Sequence, residues 1–196
     1  MLKRICVFCG SSIGKDAFAE AAEQLASELA GRNMELVYGG GNIGLMGILA
    51  DRMLAGGGKV KGVMPQHLVD HEIAHPEIHE LIIVDNMMER KKLLLEMSDA
   101  FIALPGGFGT LDEMSEVITW NQLKLMRKPV GFLNINKYYD HLIAFLDHAV
   151  KEGLIRREHR DSIIVDDRPE KILDRLKTFD GFPMDKWIRD IKSEKR

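Results

Sequence analysis

The sequence predicts a doubly wound α/β domain, with a mainly parallel sheet of about seven strands and helices on both faces. Three observations carry this expectation. Apolar runs of strand length alternate along the whole chain with segments whose apolar residues recur at helical spacing, which is the pattern of βαβ units. Such units place helices over both faces of a parallel sheet. Two glycine-rich turns and Gly10-Ser11-Ser12 lie at the carboxyl ends of strands, where ligands of open α/β sheets bind.

In order, Arg4 to Cys9 reads as the first strand, ending at Gly10-Ser11-Ser12. Asp16 to Arg32 carries Phe18, Ala22, Leu25, Ala26 and Leu29 at helical spacing, with Gly31 near its end. Glu35 to Tyr38 is a second strand, running into the glycine turn Gly39 to Gly47 and a helix to about Ala55, stopped by Gly56-Gly57-Gly58. Lys59 to Met64 is strand three, and residues 65 to 79 read as irregular, bounded by Pro65 and Pro76. Leu81 to Val84, Ala100 to Leu104, Val130 to Leu133 and Ser162 to Val165 supply the remaining strands. Helices are expected over Met87 to Met97, Leu111 to about Leu125, Tyr138 to Glu152 and Pro169 to Leu176. From about 183 the chain is charged, with Trp187, Ile188 and Ile191 as a narrow apolar stripe, and reads as a helix docked on the body or on a second subunit.

A chain of 196 residues suits one well-buried domain, 1–196, and is short for two. Its 45% hydrophobic and 29% charged residues are those of a soluble globular protein. With 27 basic and 30 acidic side chains, net −3, no electrostatic argument favours nucleic acid. Lys3 and Arg4 lead straight into a strand-like run, unlike a signal peptide, and no apolar run approaches the ~20 residues that span a bilayer. Cys6 and Cys9 form a lone C-x-x-C inside a predicted strand. Two buried, reduced thiols of a cytoplasmic protein are expected rather than a zinc or thioredoxin site.

The chemistry concentrates in three places. In Pro105-Gly-Gly-Phe-Gly-Thr-Leu-Asp-Glu113 a strand meets a glycine turn and a helix start, with Thr110 as N-cap and Glu113 completing a capping box. Either this box only closes a βα turn, or its free N–H groups make an anion site for phosphate. Gly39-x-Gly41-x-x-Gly44 has the dinucleotide spacing, but strand three ends in Gly62-Val63-Met64-Pro65 without the carboxylate that would hold a ribose. No Gly-Lys-Ser/Thr follows either turn, so a mononucleotide or sugar phosphate fits better. Asn86 and Glu89 are candidate caps of the next helix, and Arg90 and Lys91 put positive charge in its first turns against the helix dipole. They form an ordinary surface pair, or they face a bound anion or carboxylate.

Taken together, Gly39-Gly-Gly-x-x-Gly-Leu-Met-Gly47, Met87-x-x-Arg90-Lys91 and Pro105-Gly-Gly-x-Gly-Thr-x-x-Glu113 resemble the LOG family, the cytokinin riboside 5′-monophosphate phosphoribohydrolases long mislabelled lysine decarboxylases. The similarity runs from about Cys6 to Ile155 and includes Val117-Ile-Thr-Trp120 and Lys128-Pro-Val-Gly131. It implies a Rossmann-like fold and hydrolysis of the N-glycosidic bond of a nucleoside 5′-monophosphate, to free base and ribose 5-phosphate, without metal or organic cofactor. By position it implies Arg90 and Glu113 as catalytic, and Lys91, Gly106, Gly107, Phe108, Gly109, Thr110, Glu72 and Thr119 as substrate contacts. Gly10, Ser11, Gly40, Gly41, Gly44 and Met87 join them as candidate contacts from the turns and the helix start. It also implies a homodimer or higher homo-oligomer joined through the helices after Thr110 and after Tyr138. Asn42, Phe108 and Asp112 depart from the usual family residues, at places that bear on packing or base preference.

Two rival constellations are present. His67, His71, His75 and His79 recur every four residues, but Pro65 and Pro76 break that stretch, and a solvated loop is expected rather than a metal site. A decarboxylase would need pyridoxal phosphate on a lysine, and no lysine is marked by its context. A non-catalytic nucleotide-binding protein could use the same crevice.

Overall fold

A computed structural model describes residues 2–71 and 73–179. Glu72 and the charged stretch from about 183 lie outside the described residues. Every strand-length run forms a strand: β1 (Arg4–Phe8), β2 (Glu35–Tyr38), β3 (Val60–Pro65), β4 (Glu80–Val84), β5 (Ala100–Ala103), β6 (Val130–Leu133) and β7 (Ile163–Asp166). All pair in parallel in one sheet, ordered β4-β3-β2-β1-β5-β6-β7.

Side chains alternate across this sheet, so each strand feeds two cores. Ile5, Val7, Leu36, Tyr38 and Ile102 pack on one side with helices α1 (Asp16–Gly31), α2 (Gly44–Ala55) and α8 (Pro169–Lys177). Cys6, Phe8, Val37, Phe101 and Phe132 pack on the other with α4 (Met87–Met97), α5 (Phe108–Gln122) and α6 (Asp140–Lys151). The amphipathic period of α1 buries Leu25 and Leu29 completely, each contributing roughly 1.5–3 kcal/mol. Pro169 starts α8, where its missing N–H costs nothing. At α4 the expected cap forms. Asn86 Oδ1 accepts the Glu89 N–H at 2.9 Å, and Glu89 Oε2 accepts the Asp85 N–H at 3.1 Å.

The segment 65–79 differs from the expectation. It holds a short helix, α3 (Gln66–Val69), and then folds onto the second glycine turn. The Asn42 N–H bonds the Ile73 carbonyl at 2.8 Å and the His75 N–H bonds the Gly40 carbonyl at 2.9 Å. That docking buries His75, which bonds Asp51 through Nε2 at 3.1 Å and accepts the Glu77 N–H on Nδ1 at 3.2 Å. His67 and His71 stay exposed, with His71 Nδ1 2.6 Å from the His67 carbonyl, and His79 accepts the Val60 N–H, so the four side chains do not converge on one point. A second short helix, α7 (Arg157–Asp161), and a 3₁₀ turn at Ile135–Lys137 were not expected. The strand containing Cys6 stops at Phe8. Cys6 is therefore buried in the sheet, while Cys9 lies beyond it and is only half-buried. No described helix is long and apolar enough to cross a membrane.

The strand order creates the site. From β1 the chain winds outward to β4, then returns through α4 to place β5 on the opposite side of β1. The turns after β1 and β5 diverge at that reversal and leave a crevice at the carboxyl edge.

Candidate active site

Three turns meet at the crevice and are tied together by backbone. The Gly10 N–H donates to the Pro105 carbonyl at 3.1 Å, and the Gly10 carbonyl accepts the Leu45 N–H at 3.2 Å. Gly44 has φ +59°, and a Cβ there would lie 2.3 Å from the Ser11 carbonyl, so only glycine lets α2 start this close to the first turn. From the far side, Tyr138 Oη donates to the Gly106 carbonyl at 2.7 Å and Tyr139 Oη to the Leu104 carbonyl at 2.6 Å. These two tyrosines buttress the turn between β5 and α5, and no local motif marked them.

The resulting cleft encloses about 270 Å³. Val7 to Ser11, Gly39 and Met46 wall it, the first turn of α5 from Gly107 to Thr110 closes one end, and Arg90 and Glu113 contribute its ionisable groups. Of the residues singled out by sequence, the structure brings together Gly10, Ser11, Arg90, Gly107, Phe108, Gly109, Thr110 and Glu113. Gly106 lies just outside, in the adjoining hollow beside Tyr138. Gly40, Gly41, Gly44, Met87, Lys91 and Thr119 do not line the cleft, and Glu72 lies outside the described residues. Lys91 instead joins α4 to the outer face of α5, through Asp112 at 3.1 Å and Glu116 at 2.8 Å.

The capping box expected at Thr110 and Glu113 does not form. Helix α5 begins at Phe108 with Gly107 in the cap position and without a side-chain cap. Thr110 therefore falls inside the first turn and packs inward, against Gly106, where a Cβ would lie 2.1 Å from Thr110 Oγ1. With no side chain covering them, the leading N–H groups of α5 stay available to an anion at the positive end of the helix dipole. Glu113, one turn on, is free of any capping duty and is buried.

Arg90 and Glu113 face one another, with Nη1 and Oε1 3.8 Å apart and both side chains largely buried. Arg90 is aimed by its Nε–H, which donates to the Val63 carbonyl at 3.0 Å, and Nη1 lies 3.8 Å from Met87 Sδ. Burial pushes the Glu113 carboxyl from its ordinary 4.5 up to about 7, with the Arg90 guanidinium opposing the rise. Asp112 and Glu116 add to the rise and Lys91 works against it. A buried carboxyl with its pKa raised to about 7 beside a guanidinium, in a cleft, has the chemistry that acid–base and electrostatic catalysis would use. The thiols of Cys6 and Cys9 are pushed up by burial and by Glu113, so neither is a ready thiolate nucleophile.

Comparison with known proteins identifies the family. Residues 46–176 match the family model described as "Possible lysine decarboxylase". The cytokinin riboside 5′-monophosphate phosphoribohydrolase LOG7 of Arabidopsis thaliana is 48% identical over 179 residues, covering 91% of this chain and 82% of its own. The probable cytokinin riboside 5′-monophosphate phosphoribohydrolase LOGL1 of Oryza sativa subsp. japonica is also 48% identical, over 90% of this chain and 79% of its own. Among solved structures, the molybdenum cofactor binding protein of Rippkaea orientalis superposes with a TM-score of 0.71 at 22% identity, over 91% of this chain and 97% of its own, a likeness of fold alone. Near-half identity across nine-tenths of the chain, with the glycine turns and the Arg90–Glu113 pair gathered at one crevice, places this protein in the LOG family of cytokinin riboside 5′-monophosphate phosphoribohydrolases.

Proposed function

We propose that this protein hydrolyses the N-glycosidic bond of cytokinin riboside 5′-monophosphates, with AMP as a lesser substrate, releasing the free base and ribose 5-phosphate. The observation that carries the proposal is the buried Glu113 carboxyl, held near neutrality 3.8 Å from Arg90 beside an open helix N-terminus. In this reading the 5′-phosphate sits on the N–H groups of the first turn of α5, which brings the ribose beside Glu113. As the C1′–N bond breaks, its electron pair leaves with the base and positive charge grows on the ribose. The Glu113 carboxylate stabilises that charge and accepts a proton from the water whose oxygen bonds C1′. The departing base takes up a proton from solvent. Arg90 favours the charged form of Glu113 against the effect of burial and orients the nucleotide. The decarboxylase description does not fit the cleft, because among the described residues none that lines it is a lysine that could carry pyridoxal phosphate.

The test is a chromatographic assay with isopentenyladenosine 5′-monophosphate, AMP and the matching unphosphorylated ribosides. Base released from the monophosphates alone is the expected result. Nucleotide bound without release of base would make the protein a carrier. Because the working form of Glu113 is the carboxylate, kcat/KM is expected to rise about tenfold per pH unit below about 7 and to level off above it. A profile that is flat or falling from pH 5 to pH 8 would remove Glu113 as the base.

We further propose a homo-oligomer joined through α5 and α6. Leu123 and Leu125 beyond the end of α5 and Phe145 on α6 are half exposed or more and offer apolar side chains for such a contact. Sedimentation equilibrium at micromolar concentration is expected to give at least a dimer, and a monomer there would withdraw this part of the proposal.

A further inference from the structure

The second glycine turn, Gly39 to Gly47, reads by spacing as a phosphate cradle, yet most of it is occupied by the protein itself. Gly40 and Gly41 carry the contacts to residues 73–75, and Gly44 packs on Ser11. Gly39 is the glycine of this turn that lines the cleft. Unlike Gly40 and Gly44, it does not have a positive φ, so its backbone would accept any residue. What excludes a side chain there is Arg90. A Cβ on Gly39 would lie 2.0 Å from Nη2 and 3.2 Å from Cζ of the guanidinium. Arg90 thus crosses the end of β2 in the space where a side chain would stand, with its Nε–H on the Val63 carbonyl of β3 and its far edge toward Glu113.

We infer that Gly39 is a positioning residue for the reaction: its missing side chain is the slot that seats the Arg90 guanidinium against Glu113. This inference rests on the assignment of Arg90 and Glu113 to the chemistry. It gives the glycine run a purpose other than holding phosphate. The carbonyl of Val63 sets the height of the guanidinium and the bare Cα of Gly39 sets its depth. A methyl group at 39 meets the far end of a long, flexible side chain, so the clash is relieved by displacing the guanidinium and not by moving the sheet. The fold survives and the pair separates.

The experiment is Gly39→Ala, alone and combined with Arg90→Ala, in the full chain, with wild type and Glu113→Gln alongside. Gly39→Ala is expected to melt within a few degrees of wild type and to lose about 100-fold in kcat, the scale of a 1 Å misplacement. The acidic limb of its pH–rate profile moves to higher pH, because Glu113 loses the neighbouring positive charge that opposes the effect of burial. In the Arg90→Ala background the same substitution is expected to cost less than about twofold, since its target is gone. If Gly39→Ala fails to fold while the double variant folds, the clash is with Arg90 but is not relieved by displacing it, and the positioning role is overturned in favour of a packing one. Failure of both to fold, or full additivity of the two losses, overturns it. Wild-type kcat in Gly39→Ala, with Glu113→Gln inactive, overturns the positioning role alone. Wild-type kcat in both overturns the assignment of the chemistry as well.

Discussion

Glu113→Gln is expected to cost about 10²–10⁴-fold in kcat, the range in which a positioned proton acceptor contributes. The amide keeps the volume of the carboxyl and fills the same place beside Arg90, but it can neither take the proton of the attacking water nor offset positive charge on the ribose. Loss of fold is separable from loss of chemistry, because the two move in opposite directions. The folded-state pKa of Glu113 lies above its ordinary value, about 7 against 4.5. The stability this group contributes is therefore fully present below pH 4.5 and is lost as pH rises through 7, on the order of 3 kcal/mol. Glutamine is neutral throughout and escapes that loss. The variant is expected to melt several degrees above wild type at pH 8 and close to it at pH 4, as thermal melts at the two pH values would register. An inactive enzyme that is more stable above neutrality is the expected signature of a carboxylate buried for chemistry. A variant with wild-type turnover would end the assignment.

Arg90→Ala is expected to lose about 10²–10³-fold in kcat/KM at pH 7, the scale of a preorganised electrostatic partner. Part of that loss acts through Glu113. With the guanidinium removed, burial works on the carboxyl unopposed, its pKa climbs further above the usual range, and less of the enzyme is in the charged form at neutrality. Raising the pH to 9 should recover a fraction of the activity, which a residue that merely held substrate would not allow. Arg90→Lys retains the charge but not the Nε–H that bonds the Val63 carbonyl, nor the planar fork, and is expected to fall between the two. Unchanged kcat/KM and an unchanged acidic limb in Arg90→Ala would withdraw both roles.

Much of this protein is determined by patterns that act over a few residues. Apolar runs of four to six residues become strands because nothing else buries them, and the seven strands lie where the pattern puts them. The Asn86 cap of α4 forms because its partner is three residues away. Arg90 and Glu113 stand out locally, one as a cation at the wrong end of a helix and the other beyond a glycine turn.

The errors share a cause. Thr110 does not cap α5 because Gly107 takes the cap position and the helix starts earlier, a choice made by backbone angles that the threonine does not control. His75 is buried because residues 73–75 dock on a glycine turn far away in sequence. Gly39 is a glycine for the sake of a guanidinium on α4, which reaches it only because β1, β2 and β3 lie side by side in that order. The sequence by itself determined the strands, the main helices and their parallel arrangement, since hydrophobic period and turn chemistry are local, while Arg90 and Glu113 were singled out as catalytic only when three motifs were read together. Only the tertiary structure decided which glycines face the cleft, which are packing surfaces, and how Arg90 meets Glu113, because those contacts depend on strand order and register, and no single stretch of chain encodes either.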